Sequence, residues 1–517
     1  MPTARDFFYT QYFAKIPKPA ASFADKTVIV TGGNRGLGKE TVKHIVRLAA
    51  NKVIIGCRNE PHGQVAKREI EAITKCKPDI LEIWELDIES PQSIRSFVER
   101  ANQLSRLDVL INNAGISAFN FKVVYDTERT LAVNNIGTFL LAFQLIPKLK
   151  ETARRYQVTP VMTTVASALY DAAKYPENHG DDLFGWFKDQ SHVNKFNQYN
   201  LSKLLQIYTI RKLATIVDPP TTTNAHPIVI NAMDPMFCKS DLGSEVKGAI
   251  KVAGGVFRSL TARSTEEGSR LIVKAASAGR ETHGLYMRTG AVQEYAAVAK
   301  DEKRATWITH ILFEHIIKHD RLKLFESGAI ADVTLRIAEK DEILAHRAIL
   351  GPESEVLREL FSQKSHYDEH FFILLPPDTS MKALKALVRF CYCGDYPGTA
   401  TLLATVKEKA ELHFQVHALA KTYNIISLCR HVAVRIARDC KECHAHEVLD
   451  WVKHLLDHTE ASIRKAGVEI LDDYLKQDAR SYTSSDDFVD INMGDPDLNK
   501  LLLSAIYSRA HDDGADI

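Results

Sequence analysis

Six short apolar runs, each separated from the next by a segment long enough for a helix, fill the first half of the chain. They are Lys26–Thr31 (KTVIVT), Lys52–Gly56 (KVIIG), Ile80–Leu86, Leu107–Ile111 (LDVLI), Pro160–Val165 and Pro227–Ala232 (PIVINA). A strand apolar along its whole length has to be covered on both faces. Strands joined by helix-length crossovers pair in parallel. The pattern predicts an α/β fold, a doubly wound parallel sheet with helices such as Lys39–Ala50 on either side.

A chain of 517 residues exceeds one ordinary domain. Near residue 300 the texture changes. Asp301–Lys323 carries Trp307, Ile308, Ile311, Leu312 and Ile316 at helical intervals, Ala331–Ala338 (ADVTLRIA) alternates like a strand, and the rest reads as helix. The expected division is residues 1–300, a helical linker 301–324, a second domain 325–440, C-terminal helices 441–480 and an acidic tail 481–517. That tail has eight Asp against Lys500 and Arg509, with one short helix expected near Leu498–Ala510.

Lys+Arg (66) and Asp+Glu (65) nearly cancel, so no positive field marks the chain for nucleic acid. Eight Cys in this length suit a reducing compartment better than a disulfide framework. The N-terminal stretch lacks the apolar core of a secretory signal, and HDDGADI carries no prenylation or peroxisomal signal. Thr130–Pro147 is uncharged, but Asn134, Asn135, Gly137, Thr138 and Gln144 interrupt it, which suits a buried helix rather than a membrane span. A cytoplasmic protein is expected.

The first strand runs directly into Gly32-Gly33-Asn34-Arg35-Gly36-Leu37-Gly38 and then a helix. Glycines let backbone turn tightly and approach a pyrophosphate, while the helix N-terminus offers free N–H groups and partial positive charge. In the first βα unit of an alternating sheet this reads as a dinucleotide site. TGGNRGLG at 31–38, NNAG at Asn112–Gly115, Leu86-Asp87 and VNNIG at 133–137 come in the order of the short-chain dehydrogenases/reductases. The chain resembles that family over roughly residues 20–300, and STEEG at 264–268 and HGLY at 283–286 extend the likeness. The resemblance implies a Rossmann-type sheet. It also implies cofactor contacts from Gly32, Asn34, Arg35, Gly36, Leu37, Gly38, Asp87, Asn113, Ala114, Gly115 and Pro235, and a catalytic Asn134.

The end of the second strand bears on which nicotinamide is used. NAD enzymes of this fold place an acid ~20 residues after the loop to bind the ribose 2′-OH. Here Cys57 and Arg58 hold that place, with Arg35 in the glycine loop. A guanidinium grips a 2′-phosphate in bidentate fashion, so NADP(H) is the expected cofactor.

Tyr-x-x-x-Lys, the family's acid/base pair, occurs three times: Tyr170/Lys174, Tyr199/Lys203 and Tyr208/Lys212. A free phenol, at pKa ~10, is poorly matched to neutral pH. A nearby ammonium and an oxidised nicotinamide bring it down. Tyr208 belongs to the apolar stripe of Leu201, Leu204 and Leu205, and Tyr170 lies in a polar stretch ending at Pro176. Tyr199 and Lys203 open an amphipathic helix that leads to the PIVINA strand and are the preferred pair, with Tyr170 the alternative. MTTVAS (162–167) places Ser167 as the substrate-orienting serine, with Thr163 and Thr164 as other hydroxyls.

Ser167 and Tyr199 are 32 residues apart, more than in most members. The extra segment, Ala168–Gln198, carries Tyr170, Tyr175, Phe184, Trp186, Phe187 and Phe196. Either these aromatics wall a pocket for an apolar or aromatic carbonyl compound, as in members resembling retinol dehydrogenases, or they pack on the sheet. Pro235-Met236 stands where the family has Pro-Gly, which bears on the cofactor fit.

Residues 325–440 resemble a BTB/POZ domain through DVTL (332–335), AHRAIL (345–350), LRELF (357–361), FCYCGDY (390–396) and VHALAKTYNI (416–425). That likeness implies a homodimer or a cullin-type partner, a structural His346, and Cys391 and Cys393 in a strand–turn. CKECHAH (440–446) reads as helix, where His446 turns away from Cys440 and Cys443, so no metal site is expected. The N-terminal pattern resembles reductases of filamentous fungi that tailor polyketides. Together these readings predict an NADP(H)-dependent oxidoreductase interconverting a small-molecule carbonyl and its alcohol. The alternative is an interaction or scaffold protein whose reductase domain binds cofactor and turns over weakly.

Overall fold

A computed structural model describes residues 4–176, 182–217, 227–240, 242, 258–319, 331, 333–337, 341–362, 371–396, 406–429, 431–432 and 435. CKECHAH, the expected C-terminal helices and the acidic tail lie outside the described residues. The chain forms two compact units, residues 1–332 with 366–370, and residues 333–365 with 371–517.

In the first unit the six apolar runs become β1 (Thr27–Thr31), β2 (Lys52–Cys57), β3 (Leu81–Glu85), β4 (Val109–Asn112), β7 (Val161–Val165) and β8 (Val229–Asp234). Between β4 and β7 lies a small hairpin of β5 (Val123–Val124) and β6 (Thr127–Glu128). Two strands not read from the sequence extend the sheet, β9 (Tyr286–Arg288) and β10 (Ala291–Gln293). At three residues each they are too short to show a period. The order is β10-β9-β8-β7-β4-β1-β2-β3, parallel except where β10 returns against β9. Crossovers leave β1 in opposite directions, so the carboxyl ends of β1 and β4 open a crevice between them.

The helices are held by what they bury. Gly36–Arg47 turns Val42, Ile45 and Val46 onto the sheet. The uncharged stretch enters the helix Thr138–Tyr156, whose apolar side chains are buried inside the protein. By length and composition Arg129–Tyr156 could cross a membrane, yet 94% of its most apolar window is buried within the fold. The segment expected as a linker forms the helix Glu302–His319 and lies in this first unit. It buries Ala305, Ile308, Leu312 and Ile316, and Phe313 meets Phe143 edge-on at 4.9 Å.

The second unit has a three-stranded sheet, β12 (Asp341–Ala345), β11 (Val333–Ile337), β13 (Phe371–Leu375), with β11 antiparallel to β12 and parallel to β13. Helices Arg347–Glu353, Glu355–Ser362, Met381–Cys393 and Val406–Thr422 accompany it. His346 is buried before the first of these, its Nδ1 bonded to the Tyr392 hydroxyl. Cys391 and Cys393 are not in a strand–turn. They end the helix Met381–Cys393, because Ala383, Leu384, Leu387, Val388 and Cys391 bury one face and Gly394 (φ 73°) closes it.

Candidate active site

Loops at the carboxyl ends of β1, β2, β3, β4, β7, β8 and β9 surround one cleft of about 1180 Å³. At its β1 end Gly32 (φ 64°) and Gly36 (φ 54°) hold left-handed backbone that a side chain would resist. A Cβ on Gly38 would come within 2.4 Å of the Gly32 carbonyl and 2.5 Å of Asn113 Nδ2. Asn113 binds this turn, its Nδ2 donating to the carbonyls of Thr31 (2.8 Å) and Gly32 (3.3 Å). The backbone N–H groups of Asn113 and Ala114 donate to Thr31 Oγ1 at 3.0 and 2.9 Å. Asn34, Arg35, Leu37 and Gly115 line the same cleft, as do Arg58 and Asp87. Arg58 is 65% exposed, its nearest charge Glu89 at 3.6 Å. Glu89 is itself committed to Arg129 and Lys122 at 2.6 and 2.9 Å.

At the other end Ser167, Tyr199, Lys203 and Pro235 line the cleft together. Ser167 stands two residues past the end of β7, and its hydroxyl hydrogen-bonds the half-buried Tyr199 phenol. Thr163 and Thr164 are buried within the strand, bonded to Asn231 (2.9 Å) and Asn112 (3.4 Å), and do not reach the cleft. Lys203 is buried beneath Tyr199, its Nζ donating to the Val165 carbonyl (2.8 Å) and Gln206 Oε1 (3.0 Å) and lying 5.4 Å from the Tyr199 ring centroid.

The other tyrosines are already engaged. Tyr170 is buried, its hydroxyl accepting from Ala296 N at 3.0 Å. Tyr208 donates to the Val298 carbonyl at 2.5 Å. Of the three pairs, only Tyr199/Lys203 faces the cleft.

Asn134 does not. It is fully buried in a π-helical turn, Ala132–Gly137, and its side chain is bonded to both backbone groups of Ile116 and to Ser202. Its carbonyl accepts from Gln206 Nε2 at 2.7 Å, and Gln206 in turn accepts from Lys203. Asn134 therefore reaches Lys203 through Gln206, a residue the sequence reading passed over although it lies one helical turn from Lys203.

Two further groups went unread. Asp234 ends β8, is buried, lines the cleft, and accepts from Met236 N at 3.1 Å and from Ala168 N. Arg288 lies opposite it on β9. Burial pushes the Tyr199 phenol above its ordinary range; Asp234 adds to this and Ser167 opposes it. Burial also pulls Lys203 down to about 7, against the pull of Asp234. In the protein alone desolvation thus outweighs the lowering of Tyr199 expected from its lysine.

The aromatic excursion mostly turns inward. Tyr170 packs edge-on to Tyr286, Trp186 stacks on His192 at 4.1 Å, and Phe184 and Phe187 are buried. What the excursion gives the cleft is Ala168, Leu169, Asp171 and Ala172, facing Phe119 and Leu242.

Met236 adopts the left-handed conformation (φ 66°) a glycine would take, and it is buried in the core. The Asp234 carboxylate bonded to its N–H is an Asx-type turn that supports this backbone. Both variants lose the side chain beyond Cβ, so the backbone term dominates their difference and Met236→Gly should be more stable than Met236→Ala by about 1 kcal/mol, read from urea unfolding. A larger stability for the alanine variant would show that the left-handed turn costs nothing.

Residues 26–170 match the family described as short chain dehydrogenase, and residues 322–428 match the BTB/POZ domain. The chain is 37% identical over 300 residues to the short chain dehydrogenase atnD of Emericella nidulans, covering 57% of this chain and 94% of that protein. It is 35% identical over 286 residues to the short chain dehydrogenase/reductase dmxR8 of Cryptosporiopsis, covering 54% and 86%. Over 288 residues it is 33% identical to the short chain dehydrogenase FGM9 of Gibberella zeae, covering 56% and 83%. The chain belongs to the short-chain dehydrogenases/reductases, oxidoreductases that bind NAD(P), and carries a BTB/POZ domain after its Rossmann-type domain.

Proposed function

We propose that this protein is an NADP(H)-dependent oxidoreductase that interconverts a carbonyl and an alcohol on an apolar or aromatic small molecule, in fungal secondary metabolism of the polyketide kind. The observation that carries the reading is the meeting of Ser167, Tyr199 and Lys203 at one end of the cleft whose other end is the glycine loop. The cradle fits a dinucleotide. Gly32, Gly36 and Gly38 leave no side chain between backbone and phosphate, and a Cβ on Gly36 would meet nothing within 4 Å. Gly32, Asn34, Arg35, Gly36, Leu37 and Gly38 would hold the pyrophosphate, Asp87 the adenine, Asn113, Ala114 and Gly115 the adjoining backbone, and Pro235 the nicotinamide end. When bound, that cofactor supplies the hydride.

Ser167 and Tyr199 share the substrate oxygen, and Tyr199 passes the proton that balances the hydride. Lys203, held by Val165 and Gln206, carries positive charge to the phenol. Asn134 acts from behind as a positioning residue. The rim of Phe119, Leu169 and Leu242 supports an apolar substrate. The BTB/POZ domain, a kind that mediates protein interactions, would serve a second copy of this chain or a cullin-type scaffold.

The test is NADPH consumption over a panel of aromatic ketones, with NADH alongside. Turnover on none of them would leave the scaffold reading in its place. Arg58→Ala should weaken NADPH about 10- to 100-fold, the worth of a charge-assisted phosphate contact. NADH affinity should stay within about threefold, since it lacks the phosphate that this contact would hold. Equal losses for both cofactors would remove the assignment of Arg58.

A further inference from the structure

Arg288, on β9, lines the cleft on the side of Ser167, away from the glycine loop in strand order. Its cross-strand neighbour Asp234 is the only ion pair it makes among the described residues, a single Nε–Oδ2 approach of 3.4 Å. That approach is no hydrogen bond, and the buried Nε has no hydrogen-bond partner.

Some arginines of this molecule grip a carboxylate with two nitrogens, while others, such as Arg263 on Glu267, use one. Arg106 meets Asp108 at 2.8 and 2.5 Å, and Arg270 meets Glu266 at 2.9 and 2.6 Å. Asp234 already accepts from the backbone N–H groups of Met236 and Ala168. It neutralises Arg288 from the side and leaves the fork unspent. A planar fork of N–H donors held in a cleft rimmed by Phe119, Leu169 and Leu242 suits one chemistry, an anionic oxygen on an apolar body.

We propose that Arg288 is the specificity-determining residue of the substrate half of the cleft, and that it receives an anionic oxygen, carboxylate or ionised phenol or enol, borne by an apolar or aromatic ketone. This rests on the reductase reading above and narrows its substrate. An oxygen so held fixes the ketone at a second point, leaving its carbonyl to Ser167 and Tyr199. The residue acts on binding, so its effect belongs in KM rather than kcat.

The experiment compares matched ketones, an aromatic keto acid against its methyl ester and an acidic hydroxyaryl ketone against its methyl ether, on the full-length protein with NADPH. Wild type should favour the ionised member of at least one pair by about 10- to 100-fold in kcat/KM, through KM. Arg288→Met should abolish that preference, read as the ratio of kcat/KM for the ionised and neutral members within each pair so that any change common to both cancels, and Arg288→Lys should restore part of it. Calorimetric binding of the keto acid or hydroxyaryl ketone, with no turnover required, should weaken in Arg288→Met while NADPH binding holds. Should Arg288→Met fail to fold, the wild-type comparison alone still decides. Turnover of both members of each pair with equal kcat/KM would overturn the inference and spare the reductase reading. Turnover of none of the four ketones would count against the reductase reading, and the binding arm would still test Arg288.

Discussion

Replacing Tyr199 with phenylalanine should lower kcat by about 10²- to 10⁴-fold, the contribution typical of a positioned general acid or base. NADPH affinity should stay within about twofold, because the phenol hydroxyl is the only group removed and the Lys203 contacts to Val165 and Gln206 remain. Tyr170→Phe is the matched control. Its hydroxyl accepts from Ala296 N, so its loss should cost about 1 kcal/mol of stability and leave kcat nearly unchanged. The comparison is made by steady-state kinetics on any ketone that turns over, with NADPH binding followed by fluorescence. If Tyr170→Phe loses activity and Tyr199→Phe keeps it, the acid has been misassigned.

Gly38→Ala should cause the second large loss, on the cofactor side. A methyl group there meets the Gly32 carbonyl and Asn113 Nδ2 at distances no Cβ tolerates, so the loop or the asparagine has to move. The overpacking should destabilise the protein by about 1–3 kcal/mol. Losing the Asn113 bonds to Thr31 and Gly32 would let the cradle shift, and NADPH affinity should fall about 30- to 100-fold. Gly36→Ala offers the contrast. Its φ of 54° makes alanine cost about 1–2 kcal/mol of backbone strain, but no atom lies within 4 Å of the added carbon. Equal effects of the two variants on NADPH affinity would mean that backbone strain, and not collision with Asn113, governs the loop.

Much of this was legible in the chain. The six long strands could be read because parallel strands buried on both faces are apolar throughout and need no alternation to be seen. The choice among three Tyr-x-x-x-Lys pairs could be made because helical spacing already put Tyr208 in the apolar stripe. The direction of the aromatics in Ala168–Gln198 could not, since an irregular segment has no period from which to infer a face. Tyr170 finds Tyr286 on the last parallel strand, Tyr175 lies under Arg304, and neither partner is near in sequence. Asp234 and Arg288 were missed for the same reason: they become neighbours only through the pairing of β8 with the three-residue β9. Gln206 was within reach, one turn after Lys203, but an uncharged side chain on a buried helix gives no sign that it touches a lysine.

The strand order carries a consequence for how such a protein can change over generations. Every group assigned to the dinucleotide's phosphates and adenine follows β1, β2, β3 or β4, while Arg288 and the lining around Ser167 and Asp234 belong to β7, β8 and β9. The two sets lie on opposite flanks of the crevice and share few side chains. Replacements on the β7–β9 flank, Pro235 apart, would retune which molecule is accepted without disturbing the groups assigned to the coenzyme's phosphates and adenine. Gene duplication followed by drift on that one side would be enough to turn a single scaffold into a series of catalysts with different substrates.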